Sequence, residues 1–229
     1  MGRIFLLDTD FVLKLAALDL FPEFLNVYQI QESSLRVIRR EVEQIVKYKG
    51  ARIFSHFGKK KIDEVTKYIN SLPHIAEEVL SAGIFGRQSI DLHAQLNVYD
   101  RINSGELTLL INAHLINKRG GESLIYTADR NCVQELARNP EIITGIIPDV
   151  AKKILILEQV LVRIITEYEF EDVIDRLSTG KHCDKYLADV FAKGRGSHEN
   201  EVIHKLNNRI NDIHRENQNI LYLDGDSAE

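Results

Sequence analysis

The chain has 229 residues, a formal net charge of −5, 44% hydrophobic residues and 28% charged ones. That is the composition of a globular chain able to bury a core, and no apolar run approaches the roughly 18 residues needed to span a bilayer. The negative balance excludes a protein that coats nucleic acid by bulk charge, but not an acidic site that holds divalent cations.

In chain order, the first apolar run, "IFLL" at residues 4–7, predicts a strand buried on both faces. Asp8-Thr9-Asp10 follows it at once, and helical spacing then begins over residues 11–20. The β-branched and aromatic stretch "LNVYQIQ", residues 25–31, predicts a second strand. "ESSLRVIRREVEQIVKY" predicts a helix, with Leu35, Ile38, Val42 and Ile45 on one stripe and Ser33 or Ser34 as its cap. "GKKKIDEVTKYINSLP" predicts a charged surface helix with Ile62, Val65 and Ile69 inward, ended by Pro73.

Further along, "SIDLHAQLNVYDRINSG" predicts a helix that stops near Gly105. "ELTLLINAHLINKRGG" predicts another, with Leu107, Leu110, Ile111 and Leu115 on one side and Gly120-Gly121 as the stop. In "SLIYTADRNCVQELA" the opening pattern returns: apolar residues 124–126, then Thr127-Ala128-Asp129, then a helix from about Asn131. Residues 142–147 predict a short strand. A long amphipathic helix follows, with Ile154, Leu157, Leu161 and Ile164 inward. Beyond about residue 168 the signal weakens, apart from a narrow amphipathic helix carrying Val202, Ile203, Leu206, Ile210 and Ile213. That helix is expected to dock on the core or on a partner. The last residues, "DGDSAE", read as a frayed tail. The chain shows no internal repeat.

Strands alternating with helices predict a parallel sheet covered by helices. In such sheets ligands sit beyond the carboxyl ends of the strands, where Asp8 and Asp129 fall. Glu41, with Glu43 two residues on, lies in the predicted helix "VIRREVEQ", and Glu106 begins the helix after Gly105. Hard cations such as Mg²⁺ and Mn²⁺ prefer carboxylate oxygens. Acids that converge repel one another unless a cation lies among them. Such a site suits metal-assisted hydrolysis, in which one or two ions polarise a phosphate and activate a water. Taken singly, each acid also reads as a helix cap or first-turn residue.

Taken together, these motifs resemble the PIN-domain family of metal-dependent ribonucleases. "IFLLDTDFVLKL" resembles the family's opening strand and first acid, and "VIRREVEQI" the helix with the second. "INSGELTLLINAHL" resembles the helix start with the third, "LIYTADRNCVQELA" the strand, turn and helix with the fourth, and "IITGIIPDVAKKI" the closing strand. The resemblance covers about residues 1–155 in the family's order. It implies a three-layer α/β/α domain with a central parallel sheet, carrying a helical insertion at about 47–90. A helical extension, 156–229, follows.

The resemblance implies hydrolysis of RNA, single-stranded by expectation, with Mg²⁺ or Mn²⁺ held by Asp8, Glu41, Glu106 and Asp129. Thr127 is expected to order the turn that aims Asp129, Asp10 to stand just outside the ligands, and Arg130 to contact phosphate. About 60 residues separate Glu41 from Glu106, so Glu43, Asp91 and Asp100 remain alternatives for the second acid. A catalytically inactive module of the same fold, binding a protein partner or RNA, is the other reading. Pairing into a homodimer through helices is a further expectation.

A basic run, Arg36, Arg39, Arg40, Lys47, Lys49, Arg52 and Lys59 to Lys61, is expected to hold an RNA backbone. Phe54, Phe57 and Tyr68, interleaved with it, are candidates for stacking on unpaired bases. His93 and His114 flank the predicted site but form no zinc-binding helical pair, and no Walker-type or GxSxG motif is present. The N-terminus lacks a basic segment followed by a long apolar region and a small-residue cleavage site, so export is not expected. Cys132 and Cys183 form no metal or redox pattern. The expected location is cytoplasmic.

Overall fold

The computed structural model describes residues 2–38, 59–75 and 86–223. Five short strands build the sheet: β1 (Ile4–Leu7), β2 (Leu35–Ile38), β3 (His74–Ile75), β4 (Ser123–Thr127) and β5 (Ile154–Ile156). They pair in the order β3-β2-β1-β4-β5, and every pairing is parallel. Ten helices accompany them among the described residues: α1 (Thr9–Ala17), α2 (Phe21–Val27), α3 (Lys59–Ser71), α4 (Gly86–Leu96), α5 (Ser104–Lys118), α6 (Arg130–Arg138), α7 (Leu157–Glu167), α8 (Phe170–Gly180), α9 (Lys185–Val190) and α10 (Glu199–Glu216).

Side chains alternate across a strand, and here both faces are buried. Phe5, Leu7, Leu124, Tyr126 and Leu155 enter one core with residues of α1, α2, α3, α7, α8 and α9. Leu6, Ile125, Ile154 and Ile156 enter a second core with α5 and α6. This is a mixed α/β architecture, compatible with three layers. Tyr126 organises the first core: its ring lies 5.0 Å from Phe24, and 5.5 Å from both Phe11 and Tyr28. α5 is buried from Gly105 to Leu115 apart from Thr108, as expected of a helix that is apolar on nearly all sides. It stops where Gly120 takes φ +77° and Gly121 N–H bonds back to the Ile116 carbonyl at 3.0 Å.

Two predicted strands are misplaced. Residues 25–31 belong to the end of α2 and the turn after it, because Phe21 and Phe24 anchor a helix there. The second strand is instead Leu35–Ile38, from the sequence that had predicted a helix. Leu35 and Val37 are fully buried beside β1, and the period-two pattern prevails over the helical stripe. Residues 142–147 form a helical turn whose isoleucines pack under α5 rather than into the sheet. The closing strand is Ile154–Ile156, so the long helix begins only at Leu157. The helix predicted up to Gly105 ends at Leu96.

Val202 and Leu206 of α10 join the first core and Ile213 the second, so that helix docks on the body of the protein. α8 meets α1 even more closely. A Cβ placed on Gly180 would lie 2.5 Å from the Ala17 carbonyl oxygen and 2.8 Å from the Leu18 Cα, both backbone atoms. Gly180→Ala is therefore expected to lower the unfolding free energy by about 3 kcal/mol, the upper part of the range for overpacking. Urea denaturation should show a lower midpoint at an unchanged m-value. No helix among the described residues is long and apolar enough to cross a membrane.

The strand order fixes where a site can form. From β1 the chain winds outward through β2 and β3, then returns to place β4 on the other side of β1. The crevice at the carboxyl ends of β1 and β4 is thus the switch point of the sheet, where open α/β folds bind ligands. Leu7 pairs with Tyr126 there, and Asp8 N–H donates to the Tyr126 carbonyl at 2.9 Å.

Candidate functional site

Three helices begin at this crevice, and each begins with an acid. Asp8 caps α1, its carboxylate accepting from Asp10 N–H at 3.4 Å. Asp129 caps α6, accepting from Asn131 and Cys132 N–H at 2.8 and 3.2 Å. Glu106 closes a capping box at the start of α5. Its Oε2 accepts from Asn103 N–H at 2.8 Å, while Asn103 Oδ1 accepts from Gly105 and Glu106 N–H. Negative side chains at helix N-termini are favourable locally.

What capping does not explain is that the three acids converge and that two of them, Asp8 and Glu106, are buried. Asp8 is 7% exposed and Glu106 5%. Burial pushes the Asp8 carboxyl up to about 6, helped by the charges of Asp10 and Asp129 and opposed by the hydrogen bond from Thr127. Glu106 is pushed up to about 9, by burial first, then by the charge of Asp129 and a hydrogen bond with it, with Asp8 adding to the effect. A carboxyl raised that far favours its protonated form at neutral pH, with Asp129 as its neighbour.

Among the described residues no Lys, Arg or His forms an ion pair with any of the three acids. Two like charges about 4 Å apart repel by about 4 kcal/mol at an effective dielectric of 20. Acids that converge in this way favour a proton or a cation among them.

Thr127 is the hinge of the arrangement. Its Oγ1 donates to Asp8 Oδ2 at 3.1 Å and accepts from Asp129 N–H at 3.0 Å, and Ala128 N–H reaches Asp8 Oδ2 at 3.5 Å. One hydroxyl thus ties the end of β1 to the turn after β4. Asp10 stands in the first turn of α1, close enough to Asp8 and Lys14 to act on both. Arg130 begins α6 beside Asp129, with its guanidinium 3.6 Å from Asp212.

The structure therefore brings together Asp8, Glu106, Asp129, Thr127 and Asp10. Glu41 and Glu43 lie outside the described residues. Asp91 and Asp100 are exposed, on and just after α4, and neither contributes to the shifts of the buried acids. Of the basic and aromatic run, Arg39, Arg40, Lys47, Lys49, Arg52, Phe54 and Phe57 also lie outside the described residues. Arg36 donates to the Ser33 and Leu35 carbonyls at 2.6 Å. Tyr68 packs edge-on against Phe21, with its hydroxyl 3.2 Å from Glu32. His93 is exposed on α4, and the buried His114 faces Asp149 at 3.1 Å.

Three neighbours of the site lie within the sequence motifs but carry no expected role there. Asn103 is legible in hindsight, because Asn-x-x-Glu is capping-box spacing. Cys132, buried on the first turn of α6, has its thiol pushed well up by burial and by Glu106, Asp129 and Asp8. Lys14 is paired with Asp184, 170 residues away, and no local signal announces that contact.

As placed, the carboxylates are not a formed cage: among the described residues no three His, Cys, Asp or Glu side chains stand as ready metal ligands. Asp8 Oδ2 faces Thr127 and Ala128, and Glu106 faces Asn103 and Asp129. The donor chemistry suits Mg²⁺ or Mn²⁺. The cluster meets one requirement of such a site, a set of oxygen ligands with too little positive charge of its own. No family model, curated protein or solved structure matches the chain.

Proposed function

We propose that this chain is a PIN-like, metal-dependent ribonuclease that hydrolyses phosphodiester bonds in single-stranded RNA. The observation that carries the reading is the convergence of Asp8, Glu106 and Asp129 at the switch point, with Asp8 and Glu106 buried. Asp8, Glu106 and Asp129 would hold Mg²⁺ or Mn²⁺, with Glu41 as the fourth acid. As a ligand Glu106 would act as the carboxylate, and Thr127 would hold the ends of β1 and β4 that carry Asp8 and Asp129. Arg130, released from Asp212, is placed to orient a phosphate. Bound there, the ion supplies Lewis acidity at the phosphate and a water of lowered pKa.

The direct test is linkage. A site that binds Mn²⁺ in the folded state alone gains about 2.7 kcal/mol at a hundredfold excess over Kd. For a chain of this size the melting temperature should rise by about 5 °C or more in millimolar Mn²⁺. No rise would end the metal reading. One observation favours the alternative, an inactive PIN-like module that binds RNA or a protein partner: every one of the three acids already serves as a helix cap. That module predicts a melting temperature indifferent to Mn²⁺.

A further inference from the structure

One buried ammonium lies beside the acid cluster, and its partner comes from far along the chain. Lys14, on α1, is 8% exposed. Its Nζ donates to Asp184 Oδ2 at 2.8 Å and reaches the Ala128 carbonyl oxygen at 3.5 Å. Burial alone would lower the Lys14 pKa, but Asp184, and behind it Asp10, outweigh that and hold it above the ordinary value. Burial likewise opposes the charge on Asp184, and Lys14 with two backbone amides outweighs it, so that carboxyl lies below its usual range. Both partners are charged in the fold. Asp184 is itself fixed, because it caps α9 by accepting from Tyr186 and Leu187 N–H at 2.8 and 3.2 Å.

Ala128 is the middle residue of the turn that joins the acids. Within that turn the Thr127 hydroxyl and Ala128 amide donate to Asp8, the Asp129 amide donates to the Thr127 hydroxyl, and the Ala128 carbonyl faces Lys14. We propose that Lys14 and Asp184 are a positioning pair. They clamp the Thr127-Ala128-Asp129 turn, and with it the Asp8 and Asp129 carboxylates, so that the chain beyond residue 156 is a working part of the acidic site. The consequence for metal binding rests on the divalent-cation reading above, whereas the clamp itself does not.

Charge and position make opposite demands here. Removing a cation beside three acids should, by Coulomb's law alone, tighten the binding of a divalent ion. Loosening the turn that aims two ligands should weaken it, by about 10- to 100-fold for residues that orient metal ligands from outside. The sign of the change therefore separates a clamp from a mere neighbouring charge.

The experiment uses the full chain with Lys14→Met, Asp184→Asn and the double substitution. Asparagine still accepts as an N-cap, and the double variant leaves no unpaired buried charge should Lys14→Met alone fail to fold. Two quantities are read: amide exchange of Ala128 and Asp129 without metal, with Val37 and Ile125 as sheet references, and Mn²⁺ affinity from the electron paramagnetic resonance signal of free Mn²⁺. The expected result is local exchange faster by about tenfold or more with the references unchanged, and Mn²⁺ affinity lower by about tenfold or more. Unchanged exchange at Ala128 and Asp129, or tighter Mn²⁺ binding, overturns the clamp. A wild-type chain that binds no Mn²⁺ overturns the metal reading instead, and the exchange result alone then decides on the pair.

Discussion

Glu106→Gln is expected to stabilise the metal-free protein by about 2–4 kcal/mol at about pH 8, and to flatten its stability profile between pH 4.5 and about 9. The carboxyl titrates at 4.5 in the unfolded chain and at about 9 in the fold. Between those values the native state holds a proton that the unfolded state has lost, so stability is full below the lower value and falls as pH rises toward the upper one. The slope approaches about 1.4 kcal/mol per pH unit. Coupling to Asp129 and Asp8 keeps the total below the simple product of slope and interval.

Asp8 adds a smaller loss of the same sign between 3.8 and about 6. Glutamine removes the Glu106 share without breaking the local structure. Its oxygen still accepts from Asn103 N–H, and its amide nitrogen donates to Asp129 in place of the carboxyl proton. Urea denaturation in chelator, repeated across pH, measures both profiles. The same substitution should erase stabilisation by Mn²⁺. Parallel slopes for wild type and variant would show that Glu106 is not where the native proton resides.

A buried carboxyl that costs the fold stability is a candidate functional group. Much of this was readable from sequence. "IFLLD" and "LIYTAD" each place an acid directly after a buried run, and the two runs proved to be neighbouring parallel strands with those acids in the same crevice. Glu106 was equally legible, because Gly105 and the apolar stripe of α5 mark a helix start. Local pattern failed where tertiary context decided. "LRVI" fits both a helical stripe and a strand, and only the open edge of β1 selects the strand. Isoleucines 142–147 suit a strand by composition, yet Ile154–Ile156 took the edge of β4.

The Lys14–Asp184 contact was not legible at all, since a pairing across 170 residues leaves no periodicity to detect. Nor could sequence show that three ordinary helix-start acids meet at one point, two of them buried. The capping box at Asn103 and the dipoles of α1, α5 and α6 explain each acid alone. Only the strand order, which folds the N-termini of those helices onto one point, turns them into a cluster.

Asp129→Asn should separate the cap from the ligand most sharply. Asparagine caps a helix about as well as aspartate, so Asn131 and Cys132 N–H keep an acceptor and the circular dichroism of the variant should match wild type. With the Asp129 charge gone, the Glu106 carboxyl loses the largest charge that raises it and ionises at lower pH. Stability at neutral pH should therefore hold or rise slightly. The cation site, by contrast, loses one of its hard anionic donors. Deleting one preorganised electrostatic contact lowers turnover by about 10²–10³-fold in well-studied enzymes, and a loss of at least that size is expected in Mn²⁺-dependent cleavage of a labelled, unstructured RNA. Equal cleavage by wild type and variant would place the chemistry elsewhere, or in a contaminant. Cleavage lost together with the circular dichroism signal would reduce Asp129 to its capping role.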